Sequence, residues 1–139
     1  MLVGGGADEA MLKTAAKGLD NVVFTGFVDN VGDHLAAFDV FILPSNKEGI
    51  GAILLDAMDL GLPVVASRVG GLPEIVHDGE NGILIEPQRP DQLEVAILSL
   101  ADSPETRRRY GEHGRELAKG YSASAMAEKY LALYRAATR

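Results

Sequence analysis

The sequence predicts an α/β fold in which a parallel sheet is flanked by helices, and three observations predict it. Val40 to Leu43 is a short run of uninterrupted apolar residues, and Val64 to Ala66 is a second; both suit strands covered on two faces. Between them Ile50, Ile53, Leu54, Ala57, Met58 and Gly61 recur at helical spacing. Pro44 ends the first run, and Gly61 followed by Pro63 closes the helix, so Asp39 to Ser67 reads as strand, loop, helix, strand: one βαβ unit.

The elements on either side extend this pattern. Met1 to Gly4 reads as a short strand, and Gly5 and Gly6 after it as a strand-to-helix turn, since no G-x-G-x-x-G phosphate loop is present. Asp8 to Lys17 reads as a helix ended by Gly18, with Met11, Leu12, Ala15 and Ala16 on one side. Val22 to Thr25 is a strand ending at Gly26, which puts Phe27 and Val28 at a carboxyl end of the sheet. Asp33 to Phe38 is a short helix leading into the Val40 strand.

After Ser67, Gly70 and Gly71 precede Pro73, which is suited to the first position of a helix running to about His77; the glycine pair reads either as a second crevice loop or as a tight turn. Asp78 to Gly82 is a turn and Ile83 to Ile85 the last strand. Pro90 opens a helix with Leu93, Ala96, Ile97 and Leu100 inward, and Pro104 opens another whose Arg107, Arg108 and Arg109 read as a solvated face. Ser122 or Ser124 caps a final helix with the stripe Met126, Tyr130, Leu133 and Tyr134.

A chain of 139 residues with 47% hydrophobic and 24% charged content allows a single domain over residues 1–139 with a sizeable core. The net charge of −7 argues against nucleic acid or an anionic membrane as partner. With no cysteine there is no disulfide or thiolate chemistry, and His34, His77 and His113 are too scattered for a metal site. No 18-residue apolar segment or signal peptide is visible, so membrane insertion is not expected and a cytoplasmic location is the default.

The candidate site is the loop from Ser45 to Gly51. In an open parallel sheet ligands sit beyond the carboxyl ends of strands, and this loop must lie there. It carries Glu48, and Gly49 and Gly51 bracket Ile50, so backbone amides at a helix start are open to an anionic ligand.

Residues 48 to 87, EGIGAILLDAMDLGLPVVASRVGGLPEIVHDGENGILIEP, closely resemble the donor-binding domain of GT-B glycosyltransferases, specifically the retaining family 4 group, whose usual form is EGFGLxxLEAMAxGxPVVAS, then GGxPE and DGxNGxL. VVFTGFV at Val22 to Val28 resembles the family's VxFxGxV strand, and LVGGG resembles LxIVGxG. The resemblance implies a Rossmann-like donor domain that binds a nucleotide-diphosphate sugar for retaining hexosyl transfer. It implies Glu48 on the sugar hydroxyls as the catalytic-site acid, and backbone amides of Gly49, Ile50 and Gly51, with Ser45 in the same loop, around the sugar and diphosphate. Phe27 and Val28 would line the nucleobase pocket; read from the residues alone, Phe27 is equally a core side chain. The family's second glutamate is Asp56 here, one methylene shorter, which leaves the ribose contact to a bridging water. Neither metal nor cofactor is implied.

The resemblance also sets expectations about what lies outside the chain. The acceptor domain and the first strand-helix unit of the donor domain, with an Arg and a Lys for the diphosphate, would precede Met1, so the isolated chain is expected to be inactive. In the strand order 3-2-1-4-5-6 that first strand is central, and its loss is expected to drive formation of a homodimer or larger assembly, with direct closure of the Leu2 to Gly4 strand onto the Val40 strand, leaving a monomer, as the competing outcome. The competing readings are a non-catalytic nucleotide-binding or self-associating fragment, and a GT-B sugar-nucleotide epimerase, which the EGIGxxLLD run fits less well.

Overall fold

The structure is a computed structural model that describes residues 1–138. It forms two compact units, Met1–Ala37 and Phe38–Arg139.

The first unit holds helices α1 (Glu9–Ala15) and α2 (Val31–Leu35). The two expected strands are reduced to single bridges, Leu2 with Phe24 and Gly4 with Gly26. Leu2 N donates to the Val23 carbonyl and Thr25 N to that of Leu2, but at Gly4 (φ +104°) and Gly26 (φ +67°) the backbone leaves the extended region and no ladder develops. The expected inward side of α1 is open, with Met11 62% exposed. Helix α2 starts two residues before the expected Asp33, and Asn30 ahead of it donates to the Asp33 carboxylate.

The second unit is the predicted βαβ arrangement carried one strand further. Strands β1 (Phe41–Leu43), β2 (Val64–Ser67) and β3 (Gly82–Ile85) form a parallel sheet in the order β1-β2-β3, with Phe41 opposite Val64 and Val64 opposite Gly82. Every residue of central β2 is buried, as expected of a strand covered on both faces. On one face Val65 and Ile85 pack with Ala96 and Leu100 of α5 (Pro90–Ala101) and Tyr110 of α6 (Pro104–Ala118). Helix α3 (Ala52–Asp59), the crossover, buries Leu54, Ala57 and Met58.

Helix α3 begins two residues later than its apolar spacing suggested. Gly51 before it is left-handed (φ +66°, ψ 65°), which turns Ile50 out of the helix and leaves it 61% exposed, so Ile50 is not part of the buried stripe. At the other end Arg115 of α6 donates to the carbonyls of Asp59 (3.0 Å) and Leu60 (2.8 Å), closing the negative end of α3. A Cβ on Gly111 would lie 1.9 Å from the Gly61 carbonyl oxygen, so α6 meets the α3 terminus backbone to backbone. The basic triplet is only partly a solvated face. Arg107 reaches back to the Leu100 and Ala101 carbonyls and caps α5, whereas Arg108 pairs with Glu112.

Helix α4 (Leu72–Ile75) ends before the expected His77, with Pro73 second rather than first. The buried Asn81 explains the stop. Its side chain accepts from His77 N at 2.7 Å and donates to the Ile75 carbonyl at 3.0 Å, taking the groups a longer helix would use. After a 3-10 turn (Lys119–Tyr121), Ser122 caps α7 (Ala123–Ala137) by accepting from Ala125 N. Met126, Tyr130, Leu133 and Tyr134 on α7 are all more than half exposed.

Replacing Asn81 by Leu keeps the branched shape but adds volume, and it strands the part-buried His77 N–H and the buried Ile75 carbonyl. The variant is expected to lose about 2 to 4 kcal/mol of stability in urea denaturation; a loss below about 1 kcal/mol would show that Asn81 is not the anchor of this turn.

Candidate functional site

Pro44 ends β1, and the chain enters the Ser45-to-Gly51 loop beyond the sheet's carboxyl edge. Glu48 is half-buried and held by its own loop: Ser45 Oγ donates to Oε2 at 3.3 Å and Gly49 N to Oε1 at 3.2 Å. The next two amides, those of Ile50 and Gly51, have no protein acceptor among the described residues. They stand at the N-terminus of α3, where the helix dipole favours negative charge.

A second loop closes on this one. Gly71 N donates to the Gly49 carbonyl at 2.8 Å. Gly70 has φ +55°, and a Cβ there would lie 1.8 Å from the Glu48 carbonyl oxygen; on Gly71 it would lie 2.9 Å from that of Gly49. The Gly70–Gly71 pair, open in the sequence between a tight turn and a crevice loop, is therefore the backbone support of the Glu48 loop. Because these loops follow β1 and β2, the parallel pairing of those strands delivers them side by side.

Asp56 stands elsewhere. It is exposed on α3 and lines a cavity of about 430 Å³ together with Asp59, Lys119, Tyr121 and Ser122, to which Glu48 does not contribute. Ser45, Glu48, Gly49, Ile50 and Gly51 are thus brought together by one loop, and Asp56 is one helix turn and more along from it. Phe27 and Val28 belong to the first unit; Phe27 is 85% exposed, which excludes the core reading, and Val28 is half-buried. In the same unit the Gly4–Gly6 segment borders a cavity of about 260 Å³. The Glu9 carboxylate, paired with Lys13 at 2.6 Å, lies beside Gly5. The histidines are engaged locally: His34 and His113 lie within hydrogen-bond distance of the Asn30 and Glu80 carbonyls, and His77 faces the Glu80 carboxylate.

A third cavity, about 230 Å³, lies at the carboxyl ends of the strands and was not foreseen in the sequence. Asn46, Ser67, Gln88 and Arg89 border it, with Ile85 and Leu93 as apolar wall. Arg89 hydrogen-bonds Asp91 through two nitrogens, which draws the Asp91 carboxyl down to about 2 and keeps the pair charged but mutually neutralised.

Residues 1–103 match the family described as Glycosyl transferases group 1. The chain belongs to this family. Among its relatives, the N-acetyl-alpha-D-glucosaminyl L-malate synthase of Bacillus anthracis is 37% identical over 119 residues, 84% of this chain and 31% of that protein. The fold matches sucrose-phosphate synthase from Thermosynechococcus elongatus with a TM-score of 0.85 at 30% identity, over 99% of this chain and 38% of that one. It matches Anabaena HepE in complex with UDP-glucose with a TM-score of 0.84 at 26% identity, over 98% and 40%. The architecture is that of GT-B glycosyltransferase structures, and the chain spans under a third of the length of the curated relatives it matches. No helix among the described residues is long and apolar enough to cross a membrane.

Gly70→Ala tests the loop pair directly, since the added methyl meets the Glu48 carbonyl and sits at a disfavoured φ. The expected cost is about 2 to 4 kcal/mol, accompanied by faster hydrogen exchange at the Gly71 amide; unchanged exchange there would show that the two loops are not coupled.

Proposed function

We propose that the Ser45-to-Gly51 loop binds the donor of a retaining hexosyl transfer, a nucleotide-diphosphate sugar. The observation that carries this reading is the conjunction of a half-exposed carboxylate, Glu48, with the acceptor-free amides of Ile50 and Gly51 at a helix N-terminus. A carboxylate with two oxygens suits vicinal sugar hydroxyls, and adjacent acceptor-free amides suit a diphosphate. Gly49 N, engaged with Glu48, positions the acid. The HepE complexes with UDP and UDP-glucose support this ligand class. Asp56 is assigned to the ribose through a water, with the nucleotide running from the Glu48 loop along the exposed face of α3.

In this reading the amides stabilise negative charge as the nucleotide diphosphate departs, while one of its phosphate oxygens assists attack on the same face of the sugar. The acceptor is held by a second domain of the GT-B pair, and the cleft between the two is where transfer takes place. No metal is needed for the charge stabilisation described.

Glu48→Gln is expected to weaken UDP-glucose binding by about tenfold while leaving UDP binding within about twofold. Calorimetry on both ligands measures it, and equal losses would reject the assignment of Glu48 to the sugar. Asp56→Glu is expected to strengthen nucleotide binding by about 0.5 to 1.5 kcal/mol; if Asp56→Ala binds UDP as well as the parent, the ribose role is rejected.

Self-association is a second reading, favoured by the exposed stripe of α7 and by the position of β1 at the sheet edge. Light scattering at low micromolar concentration is expected to give a dimer or larger, and a mass of 14.7 kDa throughout would reject it.

A further inference from the structure

The cavity at the strand ends holds a feature that the Glu48 loop does not explain. Ser67 is 1% exposed, and its hydroxyl is the buried side-chain polar atom without a hydrogen-bond partner among the described residues. Buried hydroxyls are normally partnered. Strand residues two apart share a face, so Ser67 lies on the same side of β2 as Val65, toward α5, and this is the side on which the cavity opens.

The rest of the lining narrows what could complete Ser67. Asn46 and Gln88 add two carboxamides, each able to donate and accept. Gln88, at the cavity rim, is the non-glycine residue with positive φ among the described residues (59°), a strained backbone conformation. Arg89 is committed to Asp91, which leaves the rim without a free charge and disfavours an anion. Ile85 and Leu93 offer an apolar wall for C–H surface. At about 230 Å³ the space is below the roughly 300 Å³ at which pockets for drug-sized ligands begin, and suits one small ring.

We propose that the cavity bounded by Asn46, Ser67, Gln88 and Leu93 binds a neutral, polyhydroxylated ring of about the size of one pyranose, whose hydroxyl group partners Ser67. The site is separate from the donor reading, sharing with that loop only Asn46, and it stands whether or not Glu48 contacts a sugar.

The test is an NMR titration of the 139-residue chain with D-glucose, and separately with inorganic phosphate. The signals followed are the side-chain amides of Asn46 and Gln88 and the methyls of Ile85 and Leu93. Glucose is expected to shift them saturably and phosphate to leave them in place. Ser67→Ala is expected to raise the apparent Kd by about tenfold, the effect of one lost hydrogen bond, while leaving Tm unchanged or higher because an unpartnered hydroxyl has been removed. Gln88→Gly relieves the positive φ and is expected to raise Tm and weaken glucose binding severalfold, so it decides the matter if Ser67→Ala is poorly folded. Glu48→Gln is expected to leave these shifts intact, which separates failure here from failure of the donor reading. The proposal is overturned by an absent response to glucose, by a response to phosphate in its place, or by a Ser67→Ala variant with lower Tm and unchanged binding, the result for a hydroxyl held by a structural water only.

Discussion

The contact on which the site depends is between backbones. Gly70 and Gly71 lie against the carbonyls of Glu48 and Gly49 so closely that a methyl on Gly70 would sit 1.8 Å from oxygen. No side chain could mediate so short an approach, and the Gly71-to-Gly49 hydrogen bond fixes the register of the two loops. With that register set, the Ser45 hydroxyl and the Gly49 amide hold the two oxygens of Glu48, and the following amides are left for a ligand. The parallel β1–β2 pair supplies the loops at one edge, and the glycines let them touch.

A comparable constraint secures the helix that begins at this loop. The far end of α3 is held by Arg115 and by the approach of Gly111 to the Gly61 carbonyl, and its flank meets Gly114 through Met58. A helix of eight residues has little stability of its own. Its N-terminal amides are therefore aimed by tertiary contacts at its C-terminus and along its buried face, and the anion-attracting end of α3 is as rigid as the α3–α6 interface allows.

Much of this was legible in the sequence because it rests on periodicity. Uninterrupted apolar runs marked β1 and β2, a helical spacing marked α3, and prolines marked the starts of α5 and α6. What was illegible depends on distant partners or on a single dihedral angle. Nothing local says that Gly51 adopts a left-handed conformation and expels Ile50, or that Arg107 and Arg115, alike in sequence to any solvated arginine, cap α5 and α3. Asn81 reads as a turn residue, and only its burial shows that it ends α4. Ser67 reads as the polar end of a strand, and its lack of a partner is visible only once β3 and α5 surround it. In the first unit the pattern located the two segments that meet and overstated their extent, since two positive φ angles stop the ladder.

The proposal that the Gly70–Gly71 loop supports a ligand-binding Ser45-to-Gly51 loop is tested most directly by hydrogen–deuterium exchange of the chain with and without a nucleotide-diphosphate sugar. Slowed exchange is expected in both the Ser45-to-Gly51 and Val69-to-Gly71 segments at the same ligand concentration, with α5 and α6 unchanged. Protection of either loop without the other, or protection confined to segments outside both, would contradict it.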